Sequence, residues 1–345
     1  MTHLWIRAEQ REDEQRVGIT PQGVADLMAR GVRITVEDST QRAIPIADYA
    51  ATGCDIAAEG AWPDAPQDAI IFGLKELPDD GTPLPHRHIM FGHAYKDQPA
   101  GQILLKRFKA GGGTLLDLEY LTDTNGRRIA AFGYWAGFAG AAVAVHCLSA
   151  QQSGQLPDPM TTAASADDLV DRTKALMTGT VPDCLIIGAL GRVGTGARDF
   201  CARLGVATTL WDMAETAHGG PFPEILDHTI FLNCILAHAG TPVFVPNSAK
   251  TTQRNLRVIG DIACDPDSDF SPIRVYNRTT TWQEPCLRVH DTPPLDVTAI
   301  DNLPAILPVE SSTDFAAQLL PHLADMQSDV WKRANDLFHT KTVSI

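Results

Sequence analysis

The sequence predicts an α/β protein built from two doubly wound parallel sheets. Three observations carry that expectation. Short apolar runs alternate with helical stretches along most of the chain, the pattern of parallel sheets covered on both faces. One such run passes through a glycine-rich turn into a helix: Cys184-Leu-Ile-Ile-Gly188-Ala-Leu-Gly191-Arg-Val-Gly194-Thr-Gly196, then Ala197-Arg-Asp-Phe-Cys-Ala-Arg-Leu. That turn stands mid-chain, after 187 residues of a total of 345, a length that suits two domains.

In the front half, Met-Thr-His-Leu-Trp-Ile reads as a first strand, Gln22 to Arg30 as a helix and Val32 to Glu37 as a strand. The last alternates apolar and polar residues, so one of its faces is expected to meet water. Ala69 to Leu74 and Ile89 to Gly92 are further strands, separated by a Pro/Asp/Gly loop from Pro78 to Pro85. Lys96 to Ala110 reads as a helix, Thr114 to Leu118 as a strand, and Asp123-Thr-Asn-Gly126 as a turn. Ile129 to Leu148 is 20 residues without a formal charge and contains Gly133-x-x-x-Gly137. It is mostly Ala and Gly, with Tyr134, Trp135 and His146 inside it, and reads as a buried, closely packed helix rather than a membrane span. Ser149 to Ala166 is polar and loop-like. The back half repeats the alternation, with strands around Leu185, Thr209, Thr229, Arg257 and Leu295. Asp314 to Phe338 reads as a helical tail that returns to the first domain, because a lone terminal helix needs a surface to bury against.

The central turn is Rossmann-like. Its glycines allow a pyrophosphate to approach, and the helix start offers N–H groups. Glycines fall at relative positions 1, 4 and 7 instead of the common 1, 3 and 6. The plainer reading is a tight turn that binds nothing. Against it stands Thr208-Thr-Leu-Trp-Asp212, a second strand ending in an acid 21 residues after Gly191. A carboxylate there accepts ribose hydroxyls and repels a 2′-phosphate, which favours NAD over NADP.

A net charge of −14 argues against nucleic-acid and anionic-membrane partners. Seven cysteines lie scattered, without C-x-x-C or zinc spacing, so no metal site is expected. Their usage is cytosolic, and the N-terminus is no signal peptide, so a cytoplasmic location is expected.

Charged residues crowd the ends of front-half strands. Lys75-Glu76 follows one, His93-Ala-Tyr-Lys96-Asp97-Gln98 another, and Glu119 a third. Ligands sit at the carboxyl ends of parallel strands, so Lys75, His93, Lys96 and Glu119 converge at one rim on this reading. A solvated strand end, a core histidine and a surface ion pair are the plainer readings of each alone. A lysine withdrawn from water beside another cation has its pKa lowered toward the range of a general base, and histidine titrates there already. Arg7, Glu9, Arg11, Glu14 and Arg16 follow the first strand, and Arg127-Arg128 precedes the Gly-rich helix. Arginine forks in an acidic chain suit a substrate with several carboxylates.

Taken together, Ile6-Arg-Ala-Glu9, Gly73-Leu-Lys75-Glu76, His93-Ala-Tyr-Lys96-Asp-Gln98, Asp117-Leu-Glu119, Gly126-Arg-Arg128, Ala131-Phe132-Gly133, Gly188-Ala-Leu-Gly191-Arg192, Gly219-Gly-Pro-Phe222 and Ile300-Asp301-Asn-Leu-Pro304 resemble the NAD-dependent, lysine-forming saccharopine dehydrogenase family, related to alanine dehydrogenase and transhydrogenase domains. The motifs run in order over nearly the whole chain. The resemblance implies a substrate domain of residues 1–130 completed by 308–345, an NAD domain of 131–307, and an active site in the cleft between them. It implies reversible oxidative deamination of saccharopine to lysine and 2-oxoglutarate. Lys75 would take the proton of the secondary amine, and His93 would act as acid–base in hydrating the imine and expelling lysine. Arg16, Lys96, Gln98, Arg128 and Phe132 would hold substrate. Glu14, Glu76 and Glu119 would tune the basic groups. Arg127, Gly188, Gly191, Arg192, Gly194, Asp212, Thr216, Ile235, Ile262, Ile300, Asp301, Asn302 and Leu303 would hold NAD. The expected partners are these small molecules, with a monomer as the expected state and an oligomer left open.

The chain departs from some relatives at Ala94 and Val193, where they carry cysteine, and neither change touches a proposed catalytic group. An opine-type or amino-acid dehydrogenase joining a 2-oxo acid to another amine is the alternative on the same scaffold. A non-catalytic nucleotide sensor is the alternative of a different class, and intact Lys75 and His93 argue against it.

Overall fold

The computed structural model describes residues 1–11, 14–96, 98–343 and 345, so Asp97 of the histidine motif lies outside the described residues. The chain divides into two compact units, Met1–Ala131 with Pro308–Ile345, and Phe132–Leu307.

The first unit begins β1 (His3–Ile6), α1 (Pro21–Ala29), β2 (Arg33–Glu37), α2 (Ile46–Ala50), β3 (Asp55–Ala57), β4 (Ile70–Phe72), β5 (Arg87–Met90), α3 (Pro99–Gly111) and β6 (Thr114–Asp117). Its strands pair in parallel in the order β3-β2-β1-β4-β5-β6. Strand order therefore reverses between β1 and β4, which opens a crevice at their carboxyl ends. On one face Ile71, Met90 and Leu115 pack with Leu105 and Phe108 of α3.

The second unit holds α4 (Gly133–Gln152), α5 (Ala166–Leu176), β7 (Asp183–Ile187), α6 (Arg192–Leu204), β8 (Ala207–Trp211), α7 (Met213–Thr216), β9 (Ile230–Asn233), β10 (Val258–Asp261), β11 (Leu287–Asp291) and β12 (Pro294–Thr298). The sheet order is β11-β12-β10-β9-β7-β8. Successive β7 residues point to opposite faces. Cys184 and Ile186 join a core with α4 and α6, whereas Leu185 and Ile187 join a second core with Phe222, Phe231 and Phe244. Both faces are thus covered, as a doubly wound sheet requires. The small residues of α4 let it touch α6: a Cβ on Gly137 would lie 1.8 Å from the Val193 carbonyl oxygen. Among the described residues no helix is long and apolar enough to cross a membrane.

The chain then forms α8 (Pro308–Leu323) and α9 (Asp329–Thr342) within the first unit. The Ser312 hydroxyl accepts the Val17 N–H at 2.9 Å, and Phe338 enters the core around Phe108.

Several expectations need correction. β2 does not face water: Ile34, Thr35, Val36 and Glu37 are all buried. Its polar residues are satisfied internally, Thr35 by His3 at 2.9 Å and Glu37 by the Trp5 indole N–H and the backbone N–H groups of Ala8 and Gly60. The helix expected from Lys96 starts at Pro99, because a residue before proline is held extended, as Gln98 is at ψ 145°. The buried helix starts at Gly133 rather than Ile129 and continues to Gln152 through the start of the expected polar loop. The tail is two helices, interrupted where the Asp325 carboxylate accepts the Gln327 N–H at 3.2 Å. The strand around Ile89 begins earlier, at Arg87, and ends at Met90. Finally, β11 runs antiparallel to β12 at the edge of the second sheet, closed by the tight turn at Thr292-Pro293.

Candidate active site

Parallel pairing aligns the carboxyl ends of four strands, with Ile6 opposite Phe72, Phe72 opposite Ile89 and Met90 opposite Asp117. The residues that follow form one rim: Arg7 to Glu9 after β1, Lys75 after β4, His93 after β5 and Glu119 after β6. This rim borders the crevice where strand order reverses.

Glu119 is its electrostatic centre. Its Oε1 accepts the Lys96 ammonium at 3.0 Å and lies 3.6 Å from Arg128, and its Oε2 lies 2.8 Å from Nδ1 of His93. The His93 contact is an ion pair only while the imidazole carries a proton. His93 first, then Lys96, outweigh burial and pull the Glu119 carboxyl from 4.5 down to about 2. Burial opposes the charge of Lys96, but Glu119 more than offsets it and holds the ammonium above its ordinary value. His93 is half exposed and has φ +48°, a left-handed backbone that few residues other than glycine adopt.

Asp117 stands at the end of β6, buried, with one oxygen accepting the N–H of Gly92 at 3.3 Å and of Glu119 at 2.9 Å. It thereby ties together the chain on either side of the His93–Glu119 pair. Burial pushes its carboxyl from 3.8 up to about 6.

A second group lies within the field of Lys75. Glu14 and Arg16 form a buried, two-point pair at 2.7 and 2.5 Å. Burial resists ionisation of Glu14, yet Arg16, helped by the field of Lys75, holds its carboxyl below the ordinary value. A small cavity beside them is lined by Arg7, Glu9, Arg16, Ser39 and Arg42. Arg42 donates to the Glu37 carbonyl at 2.8 Å, and burial lowers its pKa.

Other expected residues lie further out. Glu76 is exposed and approaches Arg11 at 3.8 Å. Gln98 is exposed at the start of α3. Arg127 is exposed on the turn whose Asp123 carboxylate accepts its N–H at 2.9 Å. Phe132 begins the second unit as the residue before α4.

In the second unit Gly188 follows β7 with φ +85°, a conformation open to glycine. A Cβ on Gly194 would lie 2.2 Å from the Gly188 carbonyl oxygen. Helix α6 starts at Arg192, and its N-cap, Gly191, has no side chain with which to cap it. Asp212 follows β8 as the N-cap of α7 and accepts the N–H of Leu190 at 3.0 Å and of Met213 at 2.9 Å. A carboxylate has about four lone-pair sites, so acceptor capacity remains. The Thr216 hydroxyl donates to the Asp212 carbonyl at 2.8 Å. Ile235 packs against Gly188, and Ile262 against Gly140 of α4. Ile300, Asn302 and Leu303 are buried and Asp301 is exposed. A helix start behind a glycine N-cap, a glycine turn without room for side chains and an acid after the next strand fit a dinucleotide.

Sequence reasoning quoted Asp117, Arg7 and Glu9 without giving them roles and did not single out Arg42. The signal for Asp117 was an acid as the last residue of an apolar strand, where it has to be buried.

The Alanine dehydrogenase/PNT, N-terminal domain family matches residues 5–139. The chain is 42% identical over 365 aligned positions to the saccharopine dehydrogenase [NAD(+), L-lysine-forming] of Candida albicans, covering 97% of this chain and 96% of that protein. The chain belongs to the lysine-forming saccharopine dehydrogenase family. The Schizosaccharomyces pombe member is likewise 42% identical, with 98% of each chain covered. The fold extends beyond the saccharopine dehydrogenase family. An L-alanine dehydrogenase superposes over 98% of this chain and 94% of its own with TM-score 0.69 at 15% identity, and a transhydrogenase from Sinorhizobium meliloti over 94% of each chain with TM-score 0.63 at 17%.

Proposed function

We propose that this protein is an NAD-dependent saccharopine dehydrogenase, interconverting L-saccharopine with L-lysine and 2-oxoglutarate. The observation that carries this reading is the rim of the first sheet, where Glu119 gathers His93, Lys96 and Arg128 beside the strand end that bears Lys75. Membership of the saccharopine dehydrogenase family over the full chain supports the same reaction.

Lys75 takes the proton of the secondary amine, and His93 carries the protons needed to add water at the imine carbon and to expel lysine. Two proton carriers suit a two-stage reaction. Lys96 and Gln98 help to hold substrate, and Arg16 and Arg128 bind its carboxylates, with Phe132 shaping the site. Glu14, Glu76 and Glu119 tune the basic groups. The Gly188–Gly194 turn, Arg192, Asp212 and Thr216 hold NAD, with Arg127, Ile235, Ile262 and the 300–303 segment completing its site. NAD, when bound, accepts the hydride. The enzyme is proposed to be cytoplasmic, in keeping with its free thiols, and to act as a monomer.

The test is NADH oxidation with 2-oxoglutarate plus lysine, compared with ornithine, arginine, putrescine and ammonia. Lysine-dependent turnover that falls by about 10²-fold or more in Lys75→Met and in His93→Gln is the expected result. Turnover only with another amine, or with none, would overturn the substrate assignment. Near-normal turnover in either variant would remove that residue from its role.

A further inference from the structure

The rim contains a device that the roles above leave unused: the side chains of Arg7 and Glu9 grip the main chain of Lys75. Glu9 is buried and accepts two backbone N–H groups of the neighbouring strand end, Leu74 at 2.6 Å through Oε1 and Lys75 at 2.9 Å through Oε2. Arg7 is buried beside it. Its Nη2 donates to the Lys75 carbonyl oxygen, and its Nη1 donates to the Ala8 carbonyl at 3.1 Å and to Glu9 at 3.3 Å. The Arg7 N–H continues the strand pairing to Phe72 at 2.9 Å. Both polar backbone groups of Lys75 are therefore fixed by one arginine–glutamate pair from the adjacent strand.

Gly73 completes the grip. A Cβ there would lie 2.4 Å from Nε of Arg7, so the guanidinium lies where any other side chain would stand. A residue held at its N–H and its carbonyl has a fixed Cα–Cβ direction. In a general base that direction sets where the nitrogen meets the proton, and a displacement of about 1 Å is enough to slow a reaction by about 10²-fold. Ordinary strand pairing does not supply this, because β4 ends at Phe72, three residues before Lys75.

We infer that Arg7 and Glu9 are positioning residues for Lys75: they act on the reaction through its main chain and touch neither substrate nor cofactor. This rests on the reading of Lys75 as the amine base. The separation of Arg7 and Glu9 from the chemistry gives a test that a merely stabilising pair would fail.

The experiment is a double-mutant cycle on NADH oxidation with lysine and 2-oxoglutarate, combining Glu9→Gln with Lys75→Met. Glutamine keeps the shape but offers one acceptor where two N–H groups need one each. Glu9→Gln alone is expected to lower kcat by about 10-fold or more with KM for both substrates changed less than about threefold. In the Lys75→Met background the same substitution is expected to change kcat by less than twofold, because the group it aims is already gone. An equal loss in both backgrounds, or no loss in either, overturns the positioning role. If Lys75→Met alone turns over normally, the base assignment has failed instead, and the two failures are distinguishable. Gly73→Ala displaces the Arg7 guanidinium without removing a charge; should Glu9→Gln not purify folded, the same cycle run with Gly73→Ala gives the decision by the same criteria.

Discussion

Asp117→Asn makes the protein's stability less sensitive to pH in a calculable way. The Asp117 side chain is only 1% exposed, and one of its oxygens has no hydrogen-bond partner. Burial raises its pKa in the fold from 3.8 to about 6. Between those values the folded protein holds a proton that the unfolded chain has released. Stability from this group is therefore fully present below pH 3.8 and is lost as pH rises through about 6. At about 1.4 kcal/mol per decade the loss amounts to about 3 kcal/mol. Asparagine does not titrate, but its NH2 group replaces the unpartnered oxygen and adds a penalty of about 1–3 kcal/mol that does not vary with pH. The informative quantity is thus the change with pH. Urea unfolding of both proteins, followed by far-UV circular dichroism from about pH 4 to about pH 7, is expected to show the wild type losing about 2 kcal/mol relative to the variant, the rest of the loss falling below pH 4. A difference constant within about 0.5 kcal/mol over that range would refute the reasoning, because it would mean that the buried carboxyl titrates as in water.

Glu119→Gln leaves Lys96 and Arg128 without their shared counter-charge and is expected to destabilise the protein by about 2 kcal/mol at neutral pH, with the gap closing as pH falls from 4.5 toward about 2; equal melting temperatures at pH 7 would count against it. Buried His88 packs edge-on against Trp62 and Phe108, and its pKa is held well below 6.5 chiefly by burial. The unfolded chain binds the proton that His88 refuses, so stability drops as pH falls below about 6.5, and His88→Phe should weaken that drop. Identical acid sensitivity of urea midpoints in both proteins would exclude this account. Gly137→Ala forces α4 away from α6 and is expected to lower stability by about 1–3 kcal/mol, read by thermal unfolding; an unchanged melting temperature would mean that the helices are not in contact there. Asp212→Ala is expected to weaken NAD binding by about tenfold, measured by calorimetry, and unchanged affinity would take Asp212 out of the ribose site.

Much of this is legible in the sequence. Lys75, His93 and Glu119 each follow an apolar run, and parallel strands bring such positions to one edge whatever their separation in sequence. The glycine turn was legible for the same reason: strand, turn and helix are local. Features that depend on distant partners were not. The alternation in β2 reads as a wet face, and only its two strand neighbours show that Thr35 and Glu37 have buried partners. The grip on Lys75 joins residues 66 and 68 positions apart. The left-handed backbone of His93 leaves no mark in composition, because the residue is chosen for its ring and not for its φ.

The first unit is made of two separated stretches of chain, with Phe132–Leu307 between them. During synthesis the strands that carry Lys75, His93 and Glu119 leave the ribosome early, yet α8 and α9, which complete their unit, come last. At about 5–20 residues per second the wait is on the order of ten seconds or more. The uninterrupted second unit has all its parts before the first does. The sheet that carries the rim is therefore made before the two helices of its own unit, and a chain that stops before Pro308 lacks both of them.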